Sequence, residues 1–193
     1  MTRLILNLRA MVSANQKERI LAIKKMFVIA VIFTLFSTII MAQDSSQTKP
    51  EMSKEEMNEL IQAFTRSTEM DGVILSFVLL NNKTVDALFQ GNSKYAMRAR
   101  ANAATVFLVQ GVPDKDVTLD PQFEVEQDGK TFKGEVVNIK KLEAGMVLKG
   151  VQITGLFQLS EKIDVTQPFK IMGTQIATGE FKLSKEAIEL LAN

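Results

Sequence analysis

The 193 residues include no cysteine, no histidine and no tryptophan. Without cysteine there is no disulfide framework, no thiolate nucleophile and no lipid-modified cysteine at a cleavage point, so the fold must be held by its core alone. Without histidine the usual zinc and non-haem iron ligand sets are missing, and with them every Ser-His or Cys-His nucleophilic pair. The single tyrosine, Tyr95, leaves any stacking platform for sugars or bases to phenylalanine, which has no polar handle. Neither glycine-rich phosphate pattern, G-x-x-x-x-G-K-[ST] or G-x-G-x-x-G, occurs, which argues against a nucleotide enzyme.

Charge is also sparse once it is divided along the chain. The formal charge is +1, from 23 bases and 22 acids. The first 42 residues hold six of those bases (Arg3, Arg9, Lys17, Arg19, Lys24, Lys25) and one acid, Glu18, which leaves 17 bases against 21 acids and a net −4 beyond them. A mildly acidic domain exerts no long-range pull on a phosphate backbone, so nucleic acid is not expected as a partner.

What is present first is an address. Residues 26–42, MFVIAVIFTLFSTIIMA, are uncharged and mostly apolar, preceded by Lys24-Lys25 and followed by polar residues, the order of a signal peptide. Cleavage after Ala42 puts alanine at −1 and Ile40 at −3, so residues 1–42 are predicted to be a signal peptide with an extended basic region, or to start at Met11. Left uncut, the same stretch is an anchor at the lower limit of a membrane span. Either way the domain lies outside the cytoplasm, periplasmic or extracellular, in a host taken to be bacterial. Residues 43–52 are predicted to be a flexible linker and 53–193 one domain, long enough to bury a sizeable core.

Ser53 and Glu56 form a capping box, Met52 and Met57 the positions of a staple, and Met57, Leu60, Ile61 and Phe64 recur at helical spacing. An amphipathic helix over 53–67 follows. Beyond Asp71-Gly72 the pattern is β: 73–80 as a buried strand, 84–91 as its hairpin partner, 94–104 as a strand by its alternation, and 105–112 as another buried one. Residues 122–127 and 130–139 flank Asp128-Gly129, a pair that tolerates the positive φ of a tight hairpin. Strands over 149–159, 162–171 and 179–183, then a helix capped by Ser184, complete the chain. The expected fold is mainly β, an antiparallel sandwich, immunoglobulin-like or a partly closed barrel, with an amphipathic helix at the start of the domain and a short one at its end.

Chemistry-bearing residues are few. A strand over 94–104 places Lys94, Arg98 and Arg100 on one exposed face, a candidate anion- or partner-binding row beside the plainer reading of a solvated face. Asp114, Asp116 and Asp120 match a calcium loop weakly, lacking its glycine and distal glutamate. Asp86, Glu124, Glu126 and Glu135 supply carboxylates for glycosidic cleavage without any pair standing out. Asn82-Lys83-Thr84 spells a glycosylation acceptor of short, unspecific form. No catalytic residue, metal or cofactor is expected. The favoured reading is an exported, non-catalytic binding or structural module for another protein or an envelope component, touching membrane only through an uncut leader. A carboxylate-dependent hydrolase of cell-wall or extracellular polysaccharide and a carrier of an apolar ligand are its alternatives.

Overall fold

The computed structural model describes residues 52–70 and 72–192; the expected signal peptide and nearly all of the expected linker lie outside them. Helix α1 (Lys54–Ala63) begins on the capping box: Glu56 N donates to Ser53 Oγ at 3.2 Å, and Ser53 N donates to the Glu56 carboxylate at 2.8 Å. Those bonds hold the Glu56 carboxyl below its ordinary value. The helix buries Leu60 and Ile61 and stops sooner than its spacing implies. Residues 65–70 form strand β1 (Thr65–Met70), in six-pair antiparallel register with β2 (Val73–Leu79). Pairing to a neighbouring strand there outweighs local helical preference, as tertiary context commonly does.

Two stretches expected as strands are helices. Residues 84–91 fall largely in α2 (Asn82–Leu88) and 94–104 in α3 (Gly91–Ala103). The first follows from Asn81, whose side chain accepts from Lys83 N and Thr84 N at 2.9 and 3.0 Å, while the Thr84 hydroxyl accepts from Asn81 N at 2.8 Å. That cap commits the chain to a helix within one turn. It also buries the Thr84 hydroxyl of the apparent glycosylation acceptor, on Leu79 O at 3.0 Å. In α3 the alternation of polar and apolar residues carries no burial, since none of its 13 residues is buried. Alanine propensity therefore decides the conformation.

The remaining strands are β3 (Val106–Gly111), β4 (Val117–Leu119), β5 (Phe123–Gln127), β6 (Lys130–Lys140), β7 (Gly145–Val147), β8 (Ile153–Leu159), β9 (Phe169–Gly173) and β10 (Ile176–Phe181), before helix α4 (Lys185–Ala192). Eight of the ten described strands form an antiparallel ring in the order β1-β10-β9-β5-β6-β8-β3-β2, so of the expected architectures the barrel is the one adopted. Strands β4 and β7, which carry weak sequence signals at three residues each, form a separate ribbon. The β5–β6 hairpin turns on Asp128 and Gly129, at φ 51° and 73°, as expected.

The lumen of the ring is filled with aromatic rings. Phe77, Phe107, Phe123, Phe157, Phe169 and Phe181 are all at most 3% exposed. Their centroids lie as close as 4.7 Å for the stacked Phe169–Phe181 pair and 5.3 Å for the edge-on Phe77–Phe123 pair. Outside, the wall has two characters. On β5, β6 and β9 the outward face carries charged residues paired across strands: Glu124 opposite Lys133, and Glu126 opposite Lys170, the latter ion pair at 3.6 Å. On β2, β3 and β8 the outward residues Val78, Val106, Leu108 and Leu156 are buried, which requires cover. Buried Ile61 of α1 and Val85 and Leu88 of α2 supply apolar surface of that kind. Phenylalanine inside with glutamate and lysine outside is the reverse of a lipid-embedded barrel.

Each mouth of the ring is closed. The ribbon seals one by burying Val117, Leu119 and Val147 and exposing Met146. Gln175, in the β9–β10 turn, anchors it by accepting from Asp120 N at 2.9 Å. Leu60 of α1 and Phe64, its C-cap, with Leu183 and Ala187 at α4, join the core at the other mouth, and Ser184 caps α4 as expected, accepting from Ala187 N at 3.2 Å.

The ring closes between β1 and β10 at a seam registered at Met70–Ile176. Arg66 reinforces it: its guanidinium donates to Lys182 O, just past β10, and to Thr65 O, and lies 5.5 Å from the centre of the Phe181 ring. Desolvation draws its pKa down from the ordinary guanidinium value. Arg66→Ala is expected to cost about 1–3 kcal/mol, the range of a hydrogen bond to a charged group with a cation–π contact. A lowered urea midpoint with unchanged m-value would show it. Arg66→Lys should restore less than half, because an ammonium cannot reproduce the planar fork.

Candidate functional site

A cleft of about 360 Å³ opens beside the helical mouth of the barrel. Four stretches of chain build it: the turn from β2 into α2 (Leu79, Leu80, Asn81, Asn82, Lys83, Asp86), the end of α3 (Ala101, Asn102, Ala104, Thr105), the loop after β8 (Lys162, Ile163, Val165), and α4 (Leu190, Leu191). Half the wall is aliphatic and half carries charge or amide groups.

Each wall is held by a specific bond. Gln127, buried at the end of β5, donates Nε2 to Asp164 O at 2.7 Å and accepts from Asp164 N at 3.2 Å, so one amide side chain clamps the 160–168 loop as a strand would. Thr105 Oγ1 accepts from Ile163 N at 3.1 Å and fixes the same loop to the start of β3. The Asp164 carboxylate accepts from Thr166 N and Oγ1 at 3.0 and 2.6 Å. Asp86 ties α2 to α3: it accepts from Arg98 Nε at 2.9 Å and pairs with Lys94 Nζ at 3.2 Å. Partial burial pushes its carboxyl upward, but the hydrogen bonds and charges of Arg98 and Lys94 outweigh that and hold it below the ordinary carboxylate range.

The sign of the pH effect follows. A folded pKa below the unfolded one contributes stability that is present above the unfolded value and lost as pH falls through the folded one. Asp86→Asn should therefore lower stability at pH 7 and leave it unchanged at pH 2. The expected loss is under about 1 kcal/mol, since the pair is a third exposed. Urea titrations of both proteins at the two pH values check it.

The three bases expected on one strand face are split by the helix. Lys94 and Arg98, one turn apart on α3, both bind Asp86, while Arg100 points elsewhere and donates to Gln158 Oε1 at 2.9 Å, on the outer wall of β8. The calcium-loop acids act as loop ties: Asp116 accepts from Lys149 N, and Asp120 from Gln122 Nε2 and Thr174 Oγ1. Among the described residues no group of three His, Cys, Asp or Glu is placed to hold a metal. Glu124, Glu126 and Glu135 sit on the solvated wall, on β5 and β6, away from Asp86 on α2.

The residue that composition and motif did not single out is Asn81. Its Oδ1 is spent on the α2 cap, but its Nδ2 lies buried in the cleft wall with no hydrogen-bond partner among the described residues. A buried donor left unmade costs about 1–3 kcal/mol. Two other buried polar atoms share that condition, Gln110 Oε1 and Thr154 Oγ1, which are cross-strand neighbours on β3 and β8. The sequence signal for Asn81 was its spacing to Thr84, which marks a cap and says nothing of the second amide atom. Comparison of the chain with protein-family models, with curated proteins and with solved structures finds no match in any of the three.

Proposed function

We propose that this chain is an exported, non-catalytic protein of the cell envelope or the extracellular space, and that its barrel is a scaffold presenting the cleft as a binding surface. The observation that carries the reading is the concave wall itself, which sets the amides of Asn82 and Asn102 and the ammonium groups of Lys83 and Lys162 beside aliphatic side chains, the composition of a recognition site. Among the described residues the cleft has a single lining carboxylate, Asp86, which two cations hold below the ordinary carboxylate range, so the described lining offers no acid and base of separated pKa for glycosidic cleavage. Six phenylalanine rings occupy the space in which an apolar cargo would ride, which supports surface recognition over a carrier role. Export rests on the basic, apolar, small-residue order of the first 42 residues.

Two measurements test this. Fractionation of cells producing the tagged chain, with mass spectrometry of its amino terminus, should find it outside the cytoplasm and starting at Gln43. An intact chain in the cytosol would overturn the export half. Immobilised protein should retain an envelope component that the cleft-filling variant Ala101→Phe does not. Equal retention by both would place recognition elsewhere and overturn the binding half.

A further inference from the structure

We infer that the chain forms a two-fold dimer through an open edge of β6, in which residues 134–140 of two copies pair antiparallel and join the two barrel walls into one sheet. No residue of β6 lines the cleft, so this contact leaves the proposed binding surface open.

Strand β6 is longer than either neighbour's hold on it. It pairs with β5 over 130–133 and with β8 over 134–140, so beyond Lys133 no described strand lies on its β5 side. The main-chain groups on that side can be named. The two-residue turn at Asp128-Gly129 makes Gln127 and Lys130 a hydrogen-bonded pair, so up to the bulge the even-numbered residues of β6 face β5 and the odd-numbered ones face β8. Ser160 N, which follows β8, accordingly donates to Lys133 O at 3.2 Å. The N–H and C=O groups of Val136 and Asn138 therefore point off the open edge, and none of the eleven β6 residues is buried. Such a row is a template for another strand. The bulge between Asn138 and Lys140 ends it.

Self-complementarity selects a second copy as that strand. A two-fold axis through Val137 sets Val136 opposite Asn138 of the second copy, and the resulting main-chain bonds use every group that Val136 and Asn138 present in both chains. Val137 then meets Val137 at the axis, and Ile139, 57% exposed in the single chain, comes beside it. The charges agree. Glu135 stands at one end of the edge and Lys140 at the other, and neither has an ion pair among the described residues, Lys140 donating to Gln152 Oε1 at 3.4 Å. Antiparallel pairing brings each glutamate towards the other chain's lysine, whereas parallel pairing would set like charges side by side. One such edge per chain, paired about a two-fold, closes at the dimer.

Sedimentation equilibrium of the exported chain from about 1 μM to about 1 mM, the span of small interfaces, should show monomer passing to dimer. Val137→Cys gives the chain its only cysteine. Opposed residues whose main-chain groups face away from the shared edge lie about 4.5 Å apart at Cα, within disulfide reach, so oxidised glutathione should convert this variant largely to a cross-linked dimer. Thr131→Cys, on the same strand but outside the shared stretch, should stay largely monomeric. Val137→Lys and Val137→Glu should each weaken dimerisation at least about tenfold, and an equimolar mixture of the two should restore it, which a general loss of folding cannot do. A monomer at every concentration, equal cross-linking of the two cysteine variants, or no gain on mixing the folded charge variants would each overturn the dimer. The cysteine pair decides the matter if the charged variants unfold.

Discussion

Phe107→Ala is expected to lower the free energy of unfolding by about 3–5 kcal/mol, a large part of the 5–15 kcal/mol of an ordinary domain. The size follows from where the ring sits. Phe107 projects from β3 into the lumen, fully buried, and meets Phe77, Phe157, Phe169 and Phe181 at centroid distances of 6.4, 5.9, 5.9 and 5.6 Å. Those four rings come from β2, β8, β9 and β10, so the one side chain bridges both sides of the barrel. A closed ring of hydrogen-bonded strands cannot contract to fill the space it leaves, and the cavity penalty adds to the lost transfer free energy. Urea denaturation gives the loss. The space left should also accept benzene, raising the midpoint of the variant and not of the parent. Phe107→Leu should cost less than half as much, and equal losses for both would mean that the ring is not the keystone described.

The second large effect runs the other way, by adding atoms. Gly155 is buried on β8 between β3 and β6, and a β-carbon there would lie 2.5 Å from Leu142 Cδ2 and 2.7 Å from the Val137 carbonyl oxygen. The leucine can rotate; the carbonyl belongs to the neighbouring strand and cannot. Gly155→Ala should therefore cost about 1–3 kcal/mol, as overpacking does, and shift β6 away from β8. Leu142→Ala should cost less in the Gly155→Ala background than alone, since it removes one of the two collisions. Strictly additive losses in the double-mutant cycle would show that Leu142 is not in the way.

How much of this was legible in the residues depends on how local each signal is. The β5–β6 hairpin was readable because Asp128-Gly129 dictates its own backbone angles, and α1 and α4 because Ser53 and Ser184 announce their caps. Periodicity misled over 94–104, where alternation has meaning only if one side is buried, and α3 buries neither. It was silent over β1, where Thr65–Met70 becomes strand through its register with β2 and not through any pattern of its own. The choice of barrel over sandwich lies in the seam at Met70–Ile176, a pairing of residues about a hundred positions apart that no local window contains. The cleft is harder still. Its four walls come from distant parts of the chain, and the lining residue Asn81 keeps an amide atom that its capping role leaves over.

The seam has one more effect. Residues 73–79, VILSFVL, and 106–111, VFLVQG, are apolar, free of proline and nearly uncharged, the composition of segments that stack into fibrils when their backbone edges are offered. In the ring each has a bonded neighbour on both sides, so neither presents an edge. Were the ring to part at the seam that Arg66 spans, its two ends would be β1 and β10, and both apolar strands would still be flanked on each side.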